Sequence, residues 1–427
     1  MQKLLKLSAL SSRHIAGGLL LLYLISTAFL ELPLYAAWQH RLQLPELIFV
    51  LSCPLLIFTL YRSRHSFALN RLDLAVGLYL LINVCSALWN HQASPWLEVL
   101  GKSYLVGVYL LFRLGVQNQQ IDQKDMIPAF KLMIAAIFLM ISTGYVMLYF
   151  GKENVFLARF ADYPYLGTVY RAKALLQTPS MYISIVNWCI IYLLANSLQK
   201  GNIYRSLLQL LLFGMIALFS FSKALLLTGF AVLLIFVFHY RQQAIRKVWL
   251  PVMIVFGLLY FLFTNFVFLK PGNGGEVGST YLAVNEIQQD DQGSLIPTAY
   301  FSLKKAAIGM GLDAPFLGVG PGCFINQLQV KQQTGAYPSH LPLHDPHSVY
   351  LGAWAETGSV GLLGLLTLLA AVFGRIRKIS TNDPFYQIFL VWLLLFLLEG
   401  MNTDLMNFRH YWIQLGLIGG WPYLNRS

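Results

Sequence analysis

At 427 residues the chain is long enough for two or three soluble domains of about 150 residues each, but 57% of it is apolar and only 11% charged. Soluble domains carry about 25% charged residues, so no water-facing surface can be built from this composition. Collagenous, disordered and disulfide-framework readings fail too, because apolar runs dominate and only 4 cysteines are present. The chain reads as an integral membrane protein, and its net charge of +12 as a topology signal, with no nucleic-acid partner expected.

A bilayer-crossing helix needs about 20 mostly apolar residues. Runs of that kind follow one another at 15–37, 45–61, 72–90, 97–114, 127–150, 180–198, 203–220, 223–240, 248–269, 347–373, 384–402 and 408–424. They are too long for barrel strands and lack period-two alternation. The expected fold is therefore an all-α polytopic membrane protein of about 12 transmembrane helices, with residues 1–427 as a single membrane domain. Met1–Ala37 has a basic start and an apolar run but no small-residue cleavage site, so it reads as a retained first helix. Lys102 falls inside the fourth run. Cys53, Cys85 and Cys189 lie in runs and Cys323 outside, suggesting no disulfide.

Orientation follows from the connections. Placing the N-terminus inside collects Lys3, Lys6, Arg13, Arg62, Arg64, Arg71, Arg113, Lys124, Lys131, Lys200, Arg205, Arg241, Arg246, Lys247, Arg375, Arg377, Lys378 and Arg426 on the cytoplasmic face, with both termini. The outer face then holds two long connections, 151–178 and 270–346, the second expected to be partly helical and to separate helices 9 and 10. Within it, PGNGGEVGS at 271–279 reads as flexible. Long connections in a compact chain are usually functional. Lys152, Arg159, Arg171 and Lys173 in the first, and Lys270, Lys304, Lys305 and Lys331 in the second, run against the inside bias. An anionic ligand at the outer surface would explain them; solvated loop charges are the plainer alternative.

The stretch HDPHSVYLGAWAETGSVGLLGLL, from His344, is the most informative. Asp345 can cap a helix and Pro346 suits its first position. His347 is then expected in the first turn of a membrane helix, where the positive helix end favours neutral imidazole and welcomes a phosphate or oxyanion. A capping or interface histidine is the structural alternative. His340, His344 and His347 are spaced like metal ligands, but Pro338, Pro342 and Pro346 keep them off one helical face, so no metal is expected. Asp290-Asp291 sits in a polar stretch where solvation is the simpler role. Glu356, nine residues past His347, falls on the opposite helix side. As an acid within a span it needs a partner such as Lys223, Arg171 or another basic group. Tyr350, Leu351 and Trp354 share the expected His face, to pack a lipid tail, a sugar or another helix.

These residues carry a family resemblance. His347-Ser348, with Gly358 and Gly361 at fixed spacing, resembles the signature of bacterial O-antigen ligases. Arg171-Ala172-Lys173-Ala174-Leu175 is similar to that family's Arg-x-x-x-Leu element. PFLGVGPGCF at 315–324 resembles the turn before the family histidine, and SFSKALLL at 220–227 its Ser-Arg-Gly-type element, with Lys223 in place of arginine. The outer connection has Tyr300 about where relatives carry an arginine, leaving Lys304 and Lys305 as substitutes. The resemblance covers roughly 170–425.

The resemblance implies a GT-C-type glycosyltransferase of the inner membrane with its active site facing the periplasm. It would take glycan from an undecaprenyl diphosphate-linked donor to lipid A–core oligosaccharide among membrane lipids, by inversion and without metal or other cofactor. His347 would act as general base or orient the acceptor. Arg171, with Lys223 and Arg159 or Arg409, and with Lys304 and Lys305, would hold the diphosphate, and Asp345, Tyr350 and Glu356 would support the site. Relatives include O-antigen or exopolysaccharide polymerases and protein O-oligosaccharyltransferases. A transporter of lipid-linked glycan is the rival from another class; it would call for midplane charges and repeats, whereas Lys102, Glu356 and Glu399 are scattered.

Overall fold

A computed structural model of the chain describes residues 15–31, 43–63, 69–90, 94–163, 167–240, 242–269, 294–381 and 383–421. The flexible 271–279 stretch, Lys270, Asp290-Asp291, and the basic residues Lys3, Lys6, Arg13, Arg64, Arg241 and Arg426 lie outside the described residues. Helices fall at the expected runs: α1 (Ile15–Ser26), α2 (Leu44–Ser63), α3 (Arg71–Asn90), α4 (Ser94–Gln117), α5 (Gln123–Tyr149), α6 (Pro179–Gln199), α7 (Ile203–Leu218), α8 (Leu225–Tyr240) and α9 (Gln242–Asn265). The long connection adds α10 (Ala299–Asp313) and α11 (Phe324–Gln333), followed by α12 (Val349–Ile376), α13 (Pro384–Glu399) and α14 (Arg409–Gly420). Among the described residues α3, α4, most of α5, α6 and α12 are long and apolar enough to cross a membrane, and six further helices are apolar but shorter. The chain is a polytopic helical membrane protein.

Two expectations change. The first run is not one continuous helix over its described part. α1 ends at Ser26, a reach of only about 18 Å at 1.5 Å per residue. Ser26 and Thr27 turn their hydroxyls back onto the carbonyls of Tyr23 and Leu24, and Phe29 forms a parallel bridge with Leu175. The 151–178 connection contains a hairpin of β1 (Leu157–Tyr163) and β2 (Gly167–Ala172), with Ala158 opposite Arg171 and Arg159 opposite Tyr170. A second antiparallel pair, β3 (Phe266–Leu269) and β4 (Ser294–Pro297), leads into α10.

α6 is apolar on every side and is buried on every side, as such a helix must be unless lipid covers it. Pro179 opens it and the Thr178 hydroxyl accepts from Met181 N–H. It packs against α5, α7, α8 and α13. Phe130 of α5 stacks on Tyr192 at 4.3 Å, while Trp188 Nε1 and Tyr192 OH each donate to Gln414 Oε1 of α14 at 2.8 Å. Away from water, buried polar groups need such partners. α14 in turn lies close against α4: a Cβ on Gly416 would come within 2.6 Å of the Tyr109 carbonyl oxygen, so only a small residue allows the approach. The charges within α4 are paired, Lys102 to Glu98 at 2.9 Å and Arg113 to Asp73. Arg113 is thus a buried, paired residue.

α12 is broken at Gly358, whose φ of 69° and ψ of −163° interrupt the helix. The turn 315–320 fills the gap. Val319 and Gly320 N–H groups donate to the carbonyls of Ala355 and Glu356 at 3.0 and 2.9 Å, and Ser359 and Val360 N–H groups donate to Pro315 and Phe316 at 2.8 and 3.3 Å. The break therefore leaves these backbone groups satisfied, as a membrane interior demands. A Cβ at Gly358 would lie 2.3 Å from the Phe316 carbonyl carbon. The glycine of the histidine-containing motif is the socket for the turn that precedes it in sequence.

Candidate active site

One end of the bundle gathers β2, the α7–α8 turn, the end of α9, the start of α10, the approach to α12 and the α13–α14 connection. Hydrogen bonds between these pieces set a row of basic groups. Arg171 on β2 donates from Nε to the Ser220 carbonyl at 3.0 Å and stacks over Phe160 at 4.6 Å. Its strand is fastened to α7 by Ala172 N–H on the Phe219 carbonyl at 2.8 Å. Lys223, in the turn before α8, reaches the Thr264 carbonyl at 3.4 Å. Burial, with the nearby Arg171 charge adding to it, lowers the Lys223 ammonium to about 8.

Lys304 continues the row. It is 3% exposed, donates to Asn265 Oδ1 at 2.8 Å and to Asn402 Oδ1, and lies over the Phe261 ring at 4.9 Å. The Thr298 hydroxyl, just before α10, shares the Thr264 and Asn265 carbonyls at 3.2 Å. The end of α9 therefore positions both lysines. Burial brings Lys304 down to about 7.

His347 closes the row, its ring meeting Tyr300 edge-on at 4.6 Å. It is not in the first turn of α12. Ser348 is the N-cap, accepting from Leu351 N–H, and His347 has φ of 46° just outside the helix. Asp345 is not the cap either: its Oδ1 accepts the His347 N–H at 2.8 Å and faces Nδ1 at 3.2 Å. Burial depresses the imidazole below its ordinary value; Asp345 opposes this, and the His344 and Lys304 charges reinforce it. Neutral imidazole was expected from the helix end, but burial produces it. With Asp345 against Nδ1, the tautomer assigned from the contacts leaves Nε2 as the proton acceptor.

The remaining expected residues divide. Lys305 is exposed on α10, beside the buried Lys304. Arg159 alternates to the other face of the hairpin from Arg171 and is loosely paired with Glu153 at 4.0 Å, largely in solvent. Arg409 is committed to Glu46 of α2 at 2.5 Å and to the Tyr104 ring at 5.9 Å, clipping α14 to α2. The row excludes these three. Tyr350 does not share a helical face with His347, which precedes the helix; its hydroxyl donates to the Leu397 carbonyl at 2.9 Å. Trp354 leans on α10 through Ile308 at 3.4 Å, so helix packing is the role of both. Glu356 neighbours Lys102 electrostatically, not Lys223 or Arg171. It lines a polar cavity of about 290 Å³ whose wall also includes Asp345.

Asn265 and Asn402, which hold Lys304, were missed in the sequence. Their signal was present: each is an amide at the end of an apolar run. A second, mostly apolar groove of about 470 Å³ runs from Lys223 along Val169, Met215, Leu218, Phe219 and Leu225.

This arrangement defines a polytopic membrane protein with a basic row ending at a half-buried, neutral histidine. Residues 174–366 match the Wzy_C family, described as O-antigen ligase. The match takes in Lys223, Lys304 and His347 and begins three residues after Arg171. That family suggests a membrane enzyme of the O-antigen ligase or polymerase-like kind, glycosyltransferase-like, and implies lipid-linked glycans and lipid as partners. No curated protein matches the chain.

Proposed function

We propose that this protein is an O-antigen ligase acting at the periplasmic face of the inner membrane, moving glycan from undecaprenyl diphosphate to lipid A–core oligosaccharide. The observation that carries the reading is the neighbourhood of Arg171, Lys223, Lys304 and His347: the Arg171 charge acts on Lys223, the Thr264–Asn265 end of α9 holds both lysines, and the Lys304 charge acts on His347. Three neighbouring cations suit a diphosphate, and a neutral imidazole near them suits an incoming hydroxyl. The apolar groove starting at Lys223 gives the polyprenyl chain a path to lipid.

In the reaction, His347 Nε2 takes the acceptor hydroxyl proton as that oxygen attacks the anomeric carbon of the donor sugar. The new C–O bond forms as the bond to the diphosphate breaks on the opposite face, and the leaving diphosphate keeps the electron pair. Inversion results, and the proton ends on His347. Arg171, Lys223 and Lys304 stabilise the charge that develops on the diphosphate, the task a divalent ion performs elsewhere.

Purified enzyme with lipid-linked donor and lipid A–core acceptor tests the reading. Transfer should persist in excess chelator and fall sharply in His347→Ala and Arg171→Ala proteins that still fold. Activity lost in chelator and restored by Mg²⁺ rejects the metal-free mechanism, and undiminished transfer by both variants rejects the site. A deletion strain separates ligase from polymerase: a ligase defect leaves full-length polymer on its lipid carrier, a polymerase defect single repeats.

A further inference from the structure

The approach to α12 borders the polar cavity of about 290 Å³ between α3, α4, α12 and the α13–α14 connection, whose lining includes none of Arg171, Lys223 and Lys304. Four carboxylates, Glu98, Asp345, Glu356 and Asp404, share it with one ammonium, Lys102. They are not grouped to chelate a cation, and Lys102 is already paired with Glu98 at 2.9 Å. Asp404 is pushed up to about 6 by burial, against the pull of Lys102. The wall also holds a buried amide that is committed on its nitrogen side alone. Asn83, 3% exposed, donates its Nδ2 to the Tyr79 carbonyl at 2.8 Å, while its Oδ1 accepts no hydrogen bond among the described residues. That oxygen is therefore open to accept from a ligand hydroxyl in the cavity.

We propose that this cavity is the acceptor subsite, holding the unphosphorylated, hydroxyl-bearing sugar that receives the glycan. The proposal rests on the transfer reaction above and adds where and what the acceptor is. The volume is at the small end of ligand pockets, roughly 300 Å³ upward, which suits one sugar ring and not a lipid-linked oligosaccharide. Carboxylates and an amide suit hydroxyl donors, and the acidic majority repels phosphate, so the diphosphate donor is kept out of this cavity and left to the basic residues. Asp345 belongs to both places: it faces the imidazole Nδ1 and lines the cavity. Asp345 thus ties the cavity wall to the imidazole, and a hydroxyl at the cavity edge reaches Nε2 by passing around the ring.

The test is a two-substrate kinetic analysis with purified lipid A–core and undecaprenyl diphosphate-linked glycan. Asn83→Leu removes the open acceptor. Gly352→Leu fills the cavity from α12, where an added Cβ meets nothing closer than Pro346 Cγ at 3.7 Å. Each should raise the acceptor KM, Asn83→Leu by about three- to tenfold as for one hydrogen bond, with the donor KM unchanged. An unchanged acceptor KM in a folded variant overturns the proposal while leaving the transfer reaction standing. The unmodified protein provides a third arm: lipid A–core bearing phosphate on the receiving sugar should be used at least about tenfold less well. Equal use of that acceptor also overturns it. Absence of any transfer by wild-type enzyme would instead sink the underlying function.

Discussion

The Lys304 ammonium lies 2.8 Å from the Asn265 side-chain carbonyl, in a site where it is almost fully enclosed. An enclosed ammonium needs neutral acceptors to remain charged. Asn265 at the end of α9 and Asn402 after α13 provide them. Lys304 thus joins three elements and presents charge between Lys223 and His347.

Removing either amide should disable Lys304 without touching substrate. Asn402→Leu is expected to lower kcat/KM by about tenfold to a hundredfold, the effect of a charged hydrogen bond of about 1.5–3 kcal/mol. Steady-state kinetics on the folded variant check this. Wild-type rates would show that Lys304 plays no part.

Arg171 and Lys223 should respond differently to exchange of cation type. Lys223→Arg is expected to retain most activity, since the lysine binds as a point charge and arginine adds a fork. Arg171→Lys should lose about tenfold or more, because the guanidinium spends Nε on Ser220 and keeps its remaining donors in one plane. Donor KM and kcat measured for both variants decide the matter.

The pH profile follows from opposite requirements. His347 works as the neutral base, and its depressed value places the acid limb below 6.5. Lys304 and Lys223 work charged, so activity is lost as pH rises past about 7 and then about 8. The kcat/KM profile for donor should therefore be a narrow bell. A bound diphosphate favours the charged lysines, so the alkaline limb of kcat should lie higher. Activity flat from pH 6 to about 9 would contradict both assignments.

Gly358→Ala should be severe although it touches no substrate. A Cβ there collides with the Phe316 backbone at 2.3 Å, and φ of 69° is unfavourable for alanine. A loss of at least about 1–3 kcal/mol, read as a lower thermal midpoint in detergent, is expected. Because the inserted turn precedes Gly322 at the cavity wall, activity should fall with it.

Membrane character and the positions of the apolar helices were legible because hydropathy is a local property, read run by run. The family motifs were equally legible, and they marked Arg171, Lys223 and His347. Burial was not. Arg159, Arg171 and Arg409 look alike as arginines near outer connections, yet one projects into solvent, one joins the row and one is clipped to Glu46. The helix starts three residues later than expected because Asp345 can cap as well as Ser348 can; Ser348 caps because Gly400 receives the Val349 N–H at 2.9 Å and the Ser348 hydroxyl at 3.2 Å.

By itself, then, the amino-acid order determined that the chain lives in a membrane, where its helices lie and which family its motifs resemble. Those properties rest on solvent transfer of contiguous segments and on short spacings. Which cations stand together, what lowers the His347 basicity and which carboxylates surround Lys102 were decided only by tertiary structure. Such effects depend on distance and enclosure between residues far apart in the chain, as Lys304 and Asn402 are, and no local pattern records them.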